Sequence, residues 1–273
     1  PEIIFHLAAQ SIVSKSYSEP LKTVRTNIDG TLNILEISKK IQNLKSLVII
    51  TSDKCYLNKE FNRGYKENDE LGGDDLYSAS KASAELIFNA YSKSFFNLQK
   101  KFGFAAVRAG NVIGGGDWSP NRIIPDCIRS IEKNTSLIVR NPNSTRPWQH
   151  ALEPISGYLL LGKKLYENKK KFNGSWNFGP SINKSMIVKD VVRLFFKFLG
   201  YKKKIIFKKA RFKETNLLKL NSNKALKKIN WKNTWNMRVS IIKTADWYLS
   251  YLKKKNLKKI TSLQIREYFN LND

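Results

Sequence analysis

The amino-acid sequence predicts an α/β fold with a parallel sheet, and three observations lead to that prediction. Residues 47–50 and 103–109 form short, mainly apolar runs, which are typical of buried parallel strands. Helices are predicted over residues 20–41 and from residue 76 to about 98, so strands and helices alternate along the chain. Polar side chains directly follow the strand at 47–50, and ligands of open α/β sheets collect at that carboxyl edge.

The remaining elements follow in chain order from an apolar strand that begins near Ile3. Ser18 can cap the helix over 20–41, and Pro20 suits its first turn. Gly30 inside that helix costs about 1 kcal/mol relative to Ala, so close approach to the sheet or to a cofactor is expected there. The triple glycine at 114–116 opens no obvious helix and predicts a flexible turn. Past residue 120 the pattern is mixed, and it predicts a smaller lobe with a strand at 136–139 and helices at 153–168, 188–199 and 235–254.

Composition and length indicate an ordinary globular protein. The 273 residues suffice for one large domain or one and a half, with 41% hydrophobic and 12% aromatic residues. The sequence contains no apolar run near the ~20 residues of a membrane span and no signal-like amino terminus, so no membrane is predicted. The two cysteines, Cys55 and Cys127, are too few for a disulfide framework, which favours the reducing cytoplasm.

The net charge of +27 raises the question of nucleic-acid binding. Of the 49 basic residues 11 are Arg, which leaves 38 Lys spread along the predicted helices and loops. A dedicated nucleic-acid binder concentrates its basic residues on one face and interleaves aromatic residues. A compositional bias of the genome therefore explains the lysines better, although the positive field would still attract an anionic nucleotide.

Two short motifs carry the chemistry. The first, Thr51-Ser52-Asp53-Lys54, presents hydroxyl, carboxylate and amine groups at the end of a strand. The second places Tyr77 and Lys81 at positions i and i+4, on one face of a helix. A nearby ammonium lowers the pKa of a phenol, and such a Tyr can take a proton from an alcohol near neutral pH. A Tyr-x-x-x-Lys pair alone is often only a solvated helix face, so its weight comes from the partner motif about 25 residues upstream.

Together the motifs resemble the active site of the extended short-chain dehydrogenase/reductase superfamily. The resemblance implies a Rossmann-like, doubly wound parallel sheet that binds NAD, followed by a smaller carboxyl-terminal lobe that binds the substrate. Residues 1–120 are then the later part of the NAD-binding domain with the catalytic residues, and 121–273 are mainly the substrate lobe, interleaved with the last strands. The glycine-rich G-x-x-G-x-x-G turn is not in this sequence, so the first strands are expected upstream, in about 60–80 residues.

The resemblance also assigns residues to NAD. The sequence His-Leu-Ala-Ala-Gln at 6–10 resembles the end of the superfamily's fourth strand, where small residues let the backbone approach the dinucleotide, although tight strand packing also explains Ala8 and Ala9. The signature N-x-x-G-T-x-N begins at Asn27. The residues expected at NAD are Ala8, Ala9, Gln10, Asn27, Thr51, Tyr77 and Lys81.

The same comparison assigns residues to the substrate. Asn111 follows the strand at 103–109, and Arg146 begins the sequence Arg-Pro-Trp-Gln-His, where the superfamily places an Arg against the nucleotide diphosphate. An Arg suits that role because its planar fork binds two oxygens at once. Arg122 is a second candidate, and a surface ion pair is the alternative for either Arg. Gln10 and Ser52 complete the expected substrate set, and no metal-like cluster is visible.

The residues after the Ser favour a dehydratase within the superfamily. Dehydratases add an acid–base pair, usually Asp-Glu, and this chain has Asp53-Lys54 there. With the blocks at 72–81, 108–118 and 146–150, this motif is similar to the CDP-glucose 4,6-dehydratases. The resemblance implies CDP-glucose as substrate, conversion to the 4-keto-6-deoxy sugar for deoxysugar or lipopolysaccharide biosynthesis, and a homodimer formed through the helices at 20–41 and 76–98.

The implied mechanism is redox-neutral. Tyr77, assisted by Lys81 and Ser52, removes the 4-hydroxyl proton while hydride leaves C4; water is then lost across C5 and C6, and hydride returns to C6. By analogy Asp53 is the acid, and Lys54 stands at the position of the usual Glu base. An adjacent Asp and Lys would ionise the opposite way, since each charge stabilises the other. We therefore expect that burial under bound substrate makes the neutral pair accessible.

Two other functions stay open at this stage. One is an NAD-dependent sugar-nucleotide epimerase, in which Asp53 and Lys54 would be bystanders. The other is an inactive fragment or degenerate copy that binds nucleotide or RNA by charge, with salt-sensitive affinity. If the first strands are missing, the sheet has an exposed apolar edge, and we expect the 273 residues alone to be poorly soluble and inactive.

Overall fold

The chain forms two compact units in a computed structural model that describes residues 1–99, 101–181, 186–202, 204–208 and 217–271. Each unit is assembled from three separate stretches of chain. The first unit consists of Pro1–Gly110, Ile155–Phe178 and Leu220–Lys232, and the second of Asn111–Pro154, Gly179–Lys219 and Asn233–Asp273.

Ten strands occur in the described residues, and most of them are short. In chain order they are β1 (Ile3–His6), β2 (Ser46–Ile50), β3 (Gly103–Ala109), β4 (Val112–Ile113), β5 (Leu137–Arg140), β6 (Thr145–Arg146), β7 (Gln149–His150), β8 (Gly174–Phe178), β9 (Met186–Ile187) and β10 (Ile205–Lys208).

Eleven α-helices accompany these strands in the described residues. They are α1 (Val13–Ser18), α2 (Pro20–Val24), α3 (Gly30–Lys40), α4 (Leu76–Tyr91), α5 (Asn97–Gln99), α6 (Ile123–Glu132), α7 (Leu152–Glu167), α8 (Val188–Leu199), α9 (Asn223–Ile229), α10 (Met237–Leu252) and α11 (Leu257–Phe269). None of the helices in this part of the chain is long and apolar enough to cross a membrane.

The first unit is built on a four-stranded sheet in the order β1-β2-β3-β8, in which every pair is parallel. The predicted strand at 47–50 lies within β2, and the predicted strand at 103–109 coincides with β3. Because parallel strands need crossover connections, helices separate them along the chain. The predicted α/β class with a parallel sheet is confirmed.

Both faces of this sheet are buried, and β2 shows how. Successive side chains of a strand point to opposite faces. Leu47 and Ile49 are fully buried in one apolar cluster with Phe88 of α4. Val48 is buried in a second cluster with Leu161 of α7. Helices therefore cover both faces, which explains why β2 is apolar at every position from 47 to 50 rather than at alternate ones.

The helix predicted over 20–41 forms one helical stretch from α2 through α3, with a single π-helical turn at Arg25–Asp29. The predicted Ser18 cap is wrong. Glu19 occupies the cap position of α2 without a side-chain bond, and the Ser18 hydroxyl donates to the carbonyl of Lys15 instead. Ser18 instead ends the preceding helix α1, and within a helix a Ser hydroxyl can donate to the carbonyl three or four residues earlier.

The second unit contains three two-stranded ladders and a helical core. Strands β4 and β7 are parallel, as are β5 and β10, whereas β6 and β9 are antiparallel. The core lies among α6, α8 and α10. Helix α8 matches its predicted range of 188–199, α7 and α10 lie within two residues of 153–168 and 235–254, and the strand predicted at 136–139 is shifted by one residue in β5.

Candidate active site

The first motif forms a tight turn at the carboxyl end of β2. Asp53–Cys55 is a single 3₁₀ turn, and the Ser52 hydroxyl caps it by accepting a 3.3 Å hydrogen bond from the Lys54 amide. Ser is a preferred capping residue because its short side chain reaches an amide that the turn leaves unpaired. The Ser52 hydroxyl also donates to Oδ1 of Asp53 at 3.1 Å. Ser52, Asp53 and Lys54 thus lie at the expected edge of the sheet.

The second motif lies in the first turns of α4. Asp75 caps this helix by accepting hydrogen bonds from the Ser78 amide at 2.9 Å and the Ser78 hydroxyl at 2.6 Å. Tyr77 and Lys81 are one turn apart and are 6% and 5% exposed. Helix α4 packs against the Asp53–Cys55 turn, so the two motifs meet within the first unit.

Burial dominates the electrostatics of Lys81. It lowers the pKa of the Lys81 ammonium to about 8, although Cys55 and Glu85 act in the opposite direction. The pKa of His6 is lowered too, first by its own burial and then by the charge of Lys81. The Lys81 ammonium can therefore lose its proton in mild base.

Asp53 is almost fully buried, with 3% of its surface exposed, whereas Lys54 is half-buried. Tyr158 of α7 is close enough to this carboxylate to feel its charge. Burial raises the pKa of Tyr158, and the negative charge of Asp53 raises it further. Tyr158 was not predicted from the sequence, because an aromatic residue in an apolar helix gives no sign that it contacts a site.

Four of the residues expected at NAD lie in the loop after β1 or are bonded to it. Ala8 is exposed, and Ala9 and Gln10 are half-buried. The Asn27 side chain brackets the backbone of Gln10, accepting from its amide at 2.8 Å and donating to its carbonyl at 3.0 Å. The Asn27 amide also donates to the hydroxyl of Ser80 at 2.9 Å. Asn27 therefore ties the loop after β1 to the helix that carries Tyr77.

Beneath the two motifs lies a buried polar network that sequence reasoning missed. Glu85 of α4 and Arg108 of β3 form a bidentate ion pair at 2.8 and 2.9 Å, with the side chains 0% and 1% exposed. Thr51, one of the residues expected at NAD, donates its hydroxyl to Glu85 at 2.6 Å. The phenol of Tyr56 accepts from Arg108 at 2.7 Å. The single Arg in the otherwise apolar strand β3 was the available signal, but only its contact with Glu85 makes the two residues a pair.

The other expected substrate residues belong to the second unit. The carbonyl of Asn111 accepts from the Gln149 amide at 2.9 Å, where β4 and β7 begin. Arg122 forms a 3.1 Å ion pair with Asp117 and keeps 40% of its side chain exposed. Arg146 is buried at 7% exposure and donates to the carbonyl of Thr145 at 3.0 Å.

His150 is also buried in the second unit. Burial lowers its pKa to about 4, with a further contribution from Lys243, so the imidazole is neutral at physiological pH. Its Nδ1 accepts from the amide of Leu152 at 3.3 Å, and its ring packs edge-on against Trp235. In the part of the chain that the structure describes, no group of three or more His, Cys, Asp or Glu side chains could hold a metal ion.

Two solved structures have a similar fold. A UDP-N-acetylglucosamine 4-epimerase from Methanobrevibacter ruminantium superposes with a TM-score of 0.77, at 24% identity, over 92% of this chain and 77% of that one. A dTDP-glucose 4,6-dehydratase from Bacillus anthracis, crystallised with NAD, superposes with a TM-score of 0.75, at 23% identity, over 95% of this chain and 75% of that one. Epimerases and dehydratases share this fold, so the fold alone does not distinguish them.

Sequence comparison favours the dehydratases. Residues 1–244 match the family model described as GDP-mannose 4,6-dehydratase. The chain is 41% identical to a CDP-glucose 4,6-dehydratase from Salmonella typhimurium, over 99% of this chain and 77% of that protein. These matches confirm the resemblance predicted from the two motifs, and the chain belongs to the GDP-mannose 4,6-dehydratase family.

Proposed function

We propose that the protein is an NAD-dependent 4,6-dehydratase that converts CDP-glucose to CDP-4-keto-6-deoxyglucose. The observation that carries the proposal is the meeting of two motifs in one unit: the capped turn with Ser52, Asp53 and Lys54, and the buried pair of Tyr77 and Lys81. The 41% identity to a relative named CDP-glucose 4,6-dehydratase supports both the reaction and the nucleotide.

The residues at the end of β1 and on α4 fit a dinucleotide. Ala8 and Ala9 carry only methyl groups, and Ala8 is exposed, which leaves the backbone open to a ligand. Tyr77 and Lys81 add hydroxyl and ammonium donors that suit ribose hydroxyls. When bound, NAD⁺ would supply a hydride acceptor that later becomes the donor. The residues proposed to hold it are Ala8, Ala9, Gln10, Asn27, Tyr77 and Lys81, whereas the hydroxyl of Thr51, the seventh residue expected at NAD, is bonded to Glu85.

Side chains of this protein transfer the protons in the proposed reaction. We propose that the phenolate of Tyr77 takes the proton of the sugar 4-hydroxyl, with Lys81 stabilising the phenolate and Ser52 donating a hydrogen bond to the sugar oxygen. A ketone at C4 acidifies the proton at C5. Lys54 then removes that proton, and Asp53 gives a proton to the departing 6-hydroxyl, so that one water leaves.

Several finer assignments belong to the same proposal. Gln10, Asn111, Arg122 and Arg146 are proposed to contact the nucleotide sugar, since two Arg side chains suit a diphosphate. The protein is proposed to be a cytoplasmic homodimer that serves deoxysugar or lipopolysaccharide biosynthesis. Ile37 of α3 and Leu86 of α4 are 47% and 58% exposed, which supports a dimer formed through these helices.

The first experiment uses the protein expressed from its complete gene. It is incubated with NAD⁺ and CDP-glucose, with the TDP-, UDP- and GDP-glucose analogues in parallel, and the products are followed by mass. Loss of one water from CDP-glucose alone is the expected result. Loss of water from another nucleotide sugar would keep the dehydratase and overturn the choice of CDP.

The alternative is a sugar-nucleotide epimerase, which the similarity to a 4-epimerase structure keeps in view. An epimerase would change the configuration of the sugar without a change of mass and would not introduce solvent deuterium at C5. The same incubation in D₂O therefore separates the two activities.

Substitution of Lys54 tests the proposed base. Lys54→Ala should lower water elimination by about 100-fold or more, while oxidation at C4 stays measurable as NADH absorbance, because only the later step needs a base. Lys59→Ala is the matched control, since Lys59 is an exposed lysine a few residues further along whose ion pair with Glu70 contributes little. Wild-type turnover by Lys54→Ala would rule out this assignment.

A further inference from the structure

The segment that carries the proposed catalytic groups, residues 51–56, is held at both of its ends by one buried ion pair. At the first end, the Thr51 hydroxyl donates to Oε1 of Glu85 at 2.6 Å. At the last end, the phenol of Tyr56 accepts a 2.7 Å hydrogen bond from Nη1 of Arg108. Glu85 and Arg108 are themselves joined by two hydrogen bonds of 2.8 and 2.9 Å.

The Glu85–Arg108 pair is also fixed from outside the segment. Nη1 of Arg108 donates to the carbonyl of Glu67 at 2.9 Å, and the guanidinium lies 4.7 Å from the centre of the Tyr56 ring. The Tyr56 phenol donates in turn to Oδ1 of Asn177 on β8 at 2.8 Å. Burial by itself lowers the pKa of Arg108, but the carboxylate of Glu85 outweighs it and raises that pKa, so the guanidinium keeps its charge.

Stability alone does not account for such a pair. Removing two charges from water costs about as much as their attraction returns, and well-packed apolar residues of similar size often replace a buried ion pair without loss. A pair with this many directed hydrogen bonds does, however, hold the groups around it in one arrangement. Here those groups are the two ends of the segment and, through Glu85, the helix that carries Tyr77 and Lys81.

We propose that Glu85 and Arg108 are positioning residues, which clamp residues 51–56 so that Ser52, Asp53 and Lys54 keep their places relative to Tyr77. The proposal rests on the dehydratase function proposed above. It also gives Thr51 a different role from the one its place in the motif suggests, since its hydroxyl acts through Glu85 rather than on the dinucleotide.

The test removes the links to the segment and leaves the ion pair intact. Truncation of Glu85 or Arg108 would leave an unpaired buried charge and unfold the protein. Thr51→Val instead removes one hydroxyl at nearly constant volume, and Tyr56→Phe removes the other. The matched control is Ser175→Ala, which removes a 3.3 Å bond to the same Glu85 carboxylate from a residue outside the segment.

Three measurements are made on the protein expressed from its complete gene. Because small displacements of reacting groups cost about 100-fold in rate, water elimination should fall about 10- to 100-fold in Thr51→Val and Tyr56→Phe. Loss of a hydrogen bond to a charged partner should speed amide hydrogen exchange of residues 53–55 about tenfold or more. The dissociation constant of NAD⁺ and the KM for CDP-glucose should stay near the wild-type values in both variants, as should every measured quantity in the Ser175→Ala control.

The outcomes separate the clamp from its alternatives. Wild-type elimination and wild-type amide exchange in both variants would overturn the clamp. If Thr51→Val weakens NAD⁺ binding and leaves amide exchange unchanged, Thr51 binds the dinucleotide directly. That result would also overturn the clamp. If the unsubstituted protein releases no water from any of the nucleotide sugars, the proposed function fails. Amide exchange alone then decides whether the segment is clamped.

Discussion

At the scale of single residues, Lys81 shows that the site is built at a cost in folding free energy. Its side chain is 5% exposed, and burial lowers its pKa from 10.5 to about 8. Below that pH the folded protein must hold an ammonium ion in a poorly hydrated place, whereas the unfolded chain leaves the ion in water. The charge of Lys81 therefore destabilises the fold at neutral pH.

Lys81→Met should consequently raise the free energy of unfolding at pH 7, by about 1–3 kcal/mol, since one pKa unit corresponds to about 1.4 kcal/mol. The gain should shrink as the pH rises from about 8 toward 10.5. In that window the unfolded wild-type chain binds more protons than the folded chain, so wild-type stability increases with pH. Denaturant unfolding at pH 7 and pH 9.5 measures both effects.

Lys93→Met is the control for this prediction, because Lys93 is exposed in the same helical stretch. Its effect should stay within about 0.5 kcal/mol at either pH. A loss of stability in Lys81→Met at pH 7 would show that the ammonium is stabilised rather than strained. Loss of NAD⁺ reduction in the same variant, together with higher stability, would show that the site trades stability for activity.

At the scale of elements, Gly30 and Gly115 differ in the space around their backbones. Gly30 begins α3 directly after the π-helical turn, and a Cβ added to it would meet nothing within 4 Å. Close approach to the sheet, which the sequence led us to expect at Gly30, is therefore wrong. A Cβ on Gly115 would lie 2.1 Å from the ring of Trp247. The turn at Gly115 thus has a packing reason, beyond the flexibility that three glycines predict.

Gly30→Ala should stabilise the protein by up to about 1 kcal/mol, because Ala loses less conformational freedom in a helix than Gly does. Gly115→Ala should destabilise it by about 1–3 kcal/mol, because a large buried ring has to move. Thermal unfolding of the two variants measures both signs. A destabilised Gly30→Ala would mean that this face of α3 is covered in the complete protein, by cofactor or by chain.

At the scale of the whole molecule, the net charge of +27 means that the excess basic residues repel one another, and no single ion pair cancels that repulsion. The 22 acidic residues can pair with fewer than half of the 49 basic ones. Such self-repulsion weakens the compact state, and salt screens it over distances of about 10 Å at 0.1 M. The excess lysines therefore contribute a positive field around the whole molecule.

The melting temperature should therefore rise by several degrees when sodium chloride is increased from about 20 to about 200 mM, because screening lowers the repulsion among the excess cations. Sodium chloride is used because sulfate also strengthens apolar burial. A melting temperature that falls with salt would show that favourable ion pairs outweigh the repulsion.

Many of the strands and helices were predictable from local sequence patterns. Strand β3 and helix α8 have the bounds that their apolar periodicity predicts, and β2 extends its predicted range by one residue. The spacing of Tyr77 and Lys81 depends only on helix geometry, so their shared face followed from the sequence as well. The family followed from motifs whose residues are close together along the chain.

Only the tertiary structure decided which polar groups, far apart along the chain, bind one another. Glu85 and Arg108 are separated by 23 residues, and Tyr56 and Asn177 by 121. Their pairing depends on how α4, β3 and β8 pack, which no local pattern specifies. The sequence by itself determined the elements and the chemistry that they carry, since periodicity and short motifs are local. The packing decided which of those groups hold one another in place, because a buried hydrogen bond needs both partners within about 3 Å.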